Sequence, residues 1–197
     1  MPFLPSLPET AHLSDLFARY PENVAPLMAF HDGLLRGDGA LSVGERELIA
    51  TYVSALNACR FCTGSHEVYT QVFGQDPGVI AALLDDPAIA PVDDRLRPIL
   101  AYVAKLNHLP SRLTRADARA VYDAGWDERA LYEAVQVCAV FNMMNRIVEG
   151  TGINFDYAAD PGAHPARGGR PEDQARSYAD FGDRIAALAL ARARAQG

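Results

Sequence analysis

Cysteine is scarce in this chain: three residues in 197, two of them in Cys59-Arg60-Phe61-Cys62. A disulfide scaffold spread over loops is therefore excluded, since only Cys138 lies outside that local pair. Basic residues are in deficit too, with 18 Lys and Arg against 25 Asp and Glu and a net charge of −7. Nucleic acid and anionic membranes normally need clustered cations, so neither is expected as a partner. No apolar run is long enough to span a bilayer, and Met1-Pro2-Phe3-Leu4-Pro5 places no basic segment ahead of an apolar one. The expected location is the cytoplasm, where an exposed CxxC is a working dithiol or a metal site, not a static staple. Alternating β-branched runs joined by Asn-Gly turns are also missing, which removes a hairpin-built sheet from consideration.

What remains is helical spacing almost throughout, and the expected class is all-α. With 49% apolar and 22% charged residues, one compact domain with a sizeable core is expected over residues 1–160. Residues 161–197 read as a Pro/Gly loop followed by an Ala- and Arg-rich helix from about Glu172, packing on that domain or on a neighbouring subunit. Within the domain a first helix is expected over Glu22 to Leu35, ended by Arg36-Gly37-Asp38-Gly39. Ser42-Val43-Gly44-Glu45 has the form of a capping box and opens a helix to about Leu56. Asn57-Ala58 reads as a break, after which Cys59 to Phe73 forms the next helix, stopped by Gly74. Farther on, helices are expected over Asp93 to Asn107, regular only from near Pro98, and over Thr114 to Ala124. From Asp127 to Glu149 apolar residues are too dense for a surface helix, so this one should be central.

The chemistry concentrates in Glu47-x11-Cys59-x2-Cys62-x3-His66. A thiol is nucleophilic as its thiolate, and a helix N-terminus favours that anion through its free amides and dipole. Both cysteines fall in a helix's first turn. His66 follows Cys62 by four residues and Cys59 by seven, which sets all three on one face. The imidazole can then take a thiol proton, and Glu47, on the preceding helix, can orient it. Cys62, nearer to His66 in helical spacing, is assigned the attacking role, with Cys59 resolving its sulfenic acid to a disulfide; the reverse assignment stays open. A structural zinc site would compete for these four residues, but such sites more often use only sulfur and nitrogen ligands, and no metal or cofactor is expected.

Other residues read more plainly. His12, His31, His108 and His164 have no partner at telling spacing and are expected at the surface or in loops. Cys138 reads as a small core side chain, and Phe141, Met143 and Met144 as packing more than pocket lining. Asn142, Asn145 and Arg146 need partners if buried: they would brace the thiol-bearing helices or bond across an interface, with Arg146 pairing to Glu149 or to an acidic residue of another helix as the simplest case. An internal echo lays Glu45-Arg46-Glu47-Leu48 over Glu128-Arg129-Ala130-Leu131 and sets the cysteines opposite Asn142 and Asn145, which suggests two similar helical halves.

The four spaced residues, with Phe141-Asn142-Met143-Met144-Asn145-Arg146, resemble the alkylhydroperoxidase D-like, carboxymuconolactone decarboxylase-type superfamily and its peroxidase-related branch, over about residues 20–155. The resemblance implies a helical bundle assembled as a homo-oligomer, often a trimer or hexamer. It implies reduction of hydroperoxides through the cysteine pair, recycled by an external dithiol, with Glu47 and His66 as the proton relay. Some members carry a second histidine immediately before the later cysteine; here that position is Phe61, which shortens the relay or makes the pocket more apolar. Members without the cysteine pair suggest the alternative of a lyase acting on a small lactone acid, and a dithiol that merely reports oxidation is a non-catalytic alternative.

Overall fold

The computed structural model describes residues 1–196. Nine α-helices follow in order: α1 (Leu13–Arg19), α2 (Val24–Leu35), α3 (Val43–Leu56), α4 (Arg60–Val72), α5 (Val79–Asp85), α6 (Arg97–His108), α7 (Arg115–Asp123), α8 (Glu128–Thr151) and α9 (Ser177–Gln196). No strand occurs among the described residues, so the all-α expectation holds. Local chemistry accounts for many of the ends. Ser42 and Glu45 form the expected capping box on α3, and Thr114 with Asp117 does the same on α7. Gly74 and Gly125 follow α4 and α7 at φ of 86° and 88°, a region that costs glycine nothing.

Two short helices were not foreseen. In α1 the N-cap is His12, whose ring accepts from the Ser14 amide, and α5 starts from Gly78 with no side-chain cap at all. The C-terminal helix begins at Ser177 and not near Glu172, because Pro171–Gln174 forms a separate 3-10 turn. The sequence echo is not an echo of helices: α8 runs unbroken where the overlay would require the break between α3 and α4.

Helix α3 is the axis of the domain. Every residue from Glu47 to Ser54 is buried, because α4, α5, α6 and α8 pack around this helix. Helix α8 is central as expected and buries Ala134, Val137, Cys138, Phe141 and Val148. Helix α9 lies along α2 and also touches α1. Their close approach requires a glycine at Gly182, where a Cβ would stand 2.9 Å from Met28 Cβ. Asp32 of α2 then caps the start of α9, accepting from the Tyr178 and Ala179 amides at 3.1 and 3.0 Å.

Candidate active site

The site begins at the break between α3 and α4. Ala58 turns the chain at φ 55°, a left-handed conformation that costs an L-residue about 1–2 kcal/mol. Neutral amides hold that turn. Asn57 Nδ2 donates to Asn145 Oδ1 at 2.8 Å, Asn107 Nδ2 to Asn57 Oδ1 at 2.9 Å, and Asn142 Nδ2 to Asn107 Oδ1 at 2.7 Å. Asn145 also donates to Ser54 Oγ. Asn142 and Asn145 therefore brace the thiol-bearing helices, the first of the two uses expected for them. Arg146 joins them through the Asn142 side chain and carbonyl one turn back, and does not make the acidic pairing given as its simplest case.

This turn delivers Cys59 to the N-cap of α4 and Cys62 to its first turn. Cys59 is fully buried and Cys62 is 4% exposed. Its hydrogen bond with Cys62, and then burial, push the Cys59 thiol far above its ordinary value, so Cys59 keeps its proton. Cys138 lies 1% exposed in the core, as expected, and its thiol is pushed up to about 11 by burial.

On the far side of the same helix face, His66 Nδ1 lies 2.7 Å from Glu47 Oε2. A carboxylate accepts only, so Nδ1 carries a proton, and in the neutral form of the ring Nε2 holds the lone pair. Glu47 has no solvent exposure, and its other oxygen is taken by Arg36 Nη1 at 2.5 Å and by the Tyr178 hydroxyl at 2.9 Å. Burial works to raise this carboxyl, but Arg36 and His66 outweigh it and hold the group at about 2. Arg36, whose side chain is only 3% exposed, is ringed by Tyr69, Phe73 and Tyr178 at 4.8, 4.9 and 4.7 Å. The loop behind it is fixed from two sides: Arg46 donates to Leu34 O and Gly37 O, and Glu133 of α8 accepts the Ala40 and Leu41 amides.

Cys62 and His66 face a cavity of about 530 Å³ that Cys59 does not line. Phe61, Phe141, Met144 and Tyr157 form apolar walls, so Phe141 and Met144 line the pocket as well as filling the core, while Met143 is 41% exposed. Three histidines also line this cavity: His12 and His164 lie outside the helices, as expected, but His31 is buried in α2 and not at the surface or in a loop. His12 reaches Tyr157 Oη at 2.6 Å, edge-on to Phe61. His164 accepts the Ala166 amide at Nδ1 and meets Ser65 Oγ at 3.1 Å through Nε2. His31 sits in the wall formed by α2. Burial is the main cause that holds His31 and His164 down at about 4, and it lowers His12 too. Only His108 is exposed, at the end of α6.

The four residues singled out by spacing thus form two contacting pairs, with Glu47 hydrogen-bonded to His66 and the free Cys59 thiol hydrogen-bonded to that of Cys62. Among the described residues, no three His, Cys, Asp or Glu side chains converge in a way that could hold a metal ion. Sequence reading missed Arg36 and Tyr178 altogether. They reach Glu47 from a helix exit and from a segment 131 residues away, and nothing in their local sequence marks them.

Comparison with known proteins agrees with this arrangement. Residues 21–105 match the model of the carboxymuconolactone decarboxylase family. No curated protein matches the chain in sequence. An uncharacterized peroxidase-related protein from Ralstonia eutropha JMP134, described as an alkylhydroperoxidase AhpD core, superposes with a TM-score of 0.66 at 26% identity over 71% of this chain and 74% of that one. An uncharacterized peroxidase-related protein from Silicibacter sp. TM1040 superposes equally well, at 0.66 and 28% identity, over 72% of this chain and 74% of that one. Glu47, Cys59, Cys62 and His66 all lie inside the matched segment and the helical fold is shared with both solved structures, so over this region the chain is similar to the alkylhydroperoxidase D-like, carboxymuconolactone decarboxylase-type superfamily.

Proposed function

We propose that the chain is a thiol-dependent peroxidase that reduces organic hydroperoxides. The observation that carries this reading is that Cys62 and His66 line one cavity while Cys59 sits behind Cys62, shielded from it. His66 Nε2 takes the Cys62 proton. The thiolate attacks the terminal oxygen of the hydroperoxide, the O–O bond breaks, and the departing alkoxide receives the proton from His66, leaving Cys62 as sulfenic acid. Cys59 then attacks the Cys62 sulfur; the S–O bond breaks, water leaves, and a disulfide remains. An external dithiol returns the pair to its reduced form. Glu47 touches no reacting atom; it fixes the His66 tautomer and balances the charge that ring gains in mid-reaction. Assembly as a trimer or hexamer and a cytoplasmic location belong to the same reading.

The apolar walls favour hydroperoxides with a hydrocarbon body over hydrogen peroxide. Peptide-level mass spectrometry after one equivalent of cumene hydroperoxide, with free thiols then alkylated, tests the reading. The expected result is a Cys59–Cys62 disulfide with Cys138 still alkylated. In Cys59→Ser the expected product is sulfenic acid on Cys62. Two unreacted thiols in the unsubstituted protein would overturn it and return attention to the lyase alternative.

A further inference from the structure

His31 of α2 has no part in the relay, yet it forms part of the wall of the same cavity. Its Nδ1 lies 2.8 Å from Leu27 O, one turn earlier. A carbonyl oxygen only accepts, so Nδ1 carries the proton, and a neutral ring must present its lone pair at Nε2. Burial keeps the ring neutral near physiological pH: its value is held at about 4 despite the backbone bond and the carboxylates of Asp32 and Glu47, with His66 adding to the downward pull. No described residue hydrogen-bonds to Nε2.

The ring's position connects it to the thiol. His31 lies 6.2 Å from Phe141 and 5.7 Å from Tyr178, and His66 lies 4.5 and 6.2 Å from those same two rings. Two imidazoles, from α2 and α4, therefore flank a shared pair of aromatic rings beside Cys62. One is tied to a carboxylate and suited to moving a proton. The other is tied to a neutral carbonyl and suited only to accepting a hydrogen bond.

We infer that His31 Nε2 accepts the O–H of the incoming hydroperoxide and so orients its terminal oxygen toward Cys62. This rests on the peroxidase reading. In the balanced step that hydrogen stays on the oxygen transferred to sulfur, so His31 holds it without taking it. The alkoxide receives its proton from His66. The inference restricts the substrate class to peroxides with a free O–H, and dialkyl peroxides would lack the anchoring bond.

The test compares the rate of loss of the free Cys62 thiol with two reagents, cumene hydroperoxide and methyl methanethiosulfonate. The second modifies a thiolate without presenting an O–H. His31→Leu should slow the hydroperoxide reaction roughly tenfold, the worth of about one hydrogen bond, and leave the thiosulfonate reaction within about twofold of the unsubstituted protein. His31→Gln, whose amide oxygen can reach the Nε2 position, should recover most of the hydroperoxide rate. An equal loss with both reagents, no loss with either, or a Gln variant as slow as Leu would overturn the inference. Failure of the unsubstituted protein to react with hydroperoxide would instead overturn the peroxidase reading itself.

Discussion

The two ends of the α3–α4 pair are held in different ways. Around the Asn57 turn, beside the thiols, Asn57, Asn107, Asn142, Asn145 and Ser54 make a ladder of neutral hydrogen bonds. Around Glu47, one helical stretch away, the contacts are charged: a guanidinium on one carboxylate oxygen and an imidazole on the other, with a tyrosine hydroxyl completing the shell. Neutral amides fix a shape and are indifferent to pH. A buried carboxylate shared between a permanent cation and a titratable ring holds a charge in readiness, at the expense of depending on every partner. In the proposed mechanism the molecule thus separates the part that presents the sulfur from the part that handles the proton.

The sharpest break of this contrast removes the permanent cation. Arg36→Met leaves Glu47 ionised and buried with too few donors, and the expected loss is roughly 3–5 kcal/mol of stability at pH 7.5, read by urea unfolding. Its pH dependence has a definite sign. Without Arg36 the effect of burial prevails and the Glu47 value rises, so lowering the pH neutralises the stranded charge and the deficit should shrink between pH 8 and pH 5. Arg36→Lys should recover part of the loss, because the charge is restored without the fork. A deficit below about 1 kcal/mol, or one that grows on acidification, would show that Arg36 is not what balances Glu47.

Acid alone should act on the cavity walls before it reaches the buried Glu47 carboxylate. His31 and His164 are held at about 4 from an ordinary 6.5, so the unfolded chain binds protons that the folded one refuses. Their contribution is complete above pH 6.5 and is lost progressively as the pH falls toward 4. The two together should cost about 2–3 kcal/mol between pH 7 and pH 5.5. Glu47, lowered from 4.5 to about 2, adds its loss only below pH 4.5. Urea unfolding midpoints across this range measure the effect. A flat profile from pH 7 to 5.5 would mean that the two rings titrate normally in the fold.

Legibility in the sequence followed the range of the interaction. Helices α3 and α7 could be placed to within a residue or two because their capping boxes lie within four positions. The spacing of Cys59, Cys62 and His66 needed only the period of one helix, and Glu47 needed only the preceding one. Helix α1 escaped because a histidine ring serves as its cap. Arg36 read as part of a helix exit, and it is a loop held by Arg46 and Glu133 that turns it onto Glu47. Tyr178 lies in an Ala-rich tail whose register on α2 depends on Gly182 meeting Met28, a fit between surfaces that no local pattern encodes. The meeting of three histidines was hidden for a similar reason, although only His31 departs from the surface-or-loop expectation. His12, His31 and His164 come from three distant segments and share only the cavity they surround.

The smallest of the expected effects tests the neutral half. Asn145 is almost fully buried, donating to Ser54 Oγ at 3.1 Å and accepting from Asn57 Nδ2 at 2.8 Å. Asn145→Ala removes both bonds, yet Ser54 still donates to Ala50 O and Asn57 Nδ2 still has Asn142 Oδ1 at 3.4 Å. The stranded groups are uncharged and keep other partners, so the expected cost is about 1–2 kcal/mol, well under that of Arg36→Met. No member of the ladder titrates, so the cost should be the same at pH 5.5 and pH 8. Urea unfolding of the variant at both values decides the matter. Were the Asn145→Ala deficit to change with pH as the Arg36→Met deficit does, the ladder would be coupled to the charged cluster, and the separation between presenting the sulfur and handling the proton would not hold.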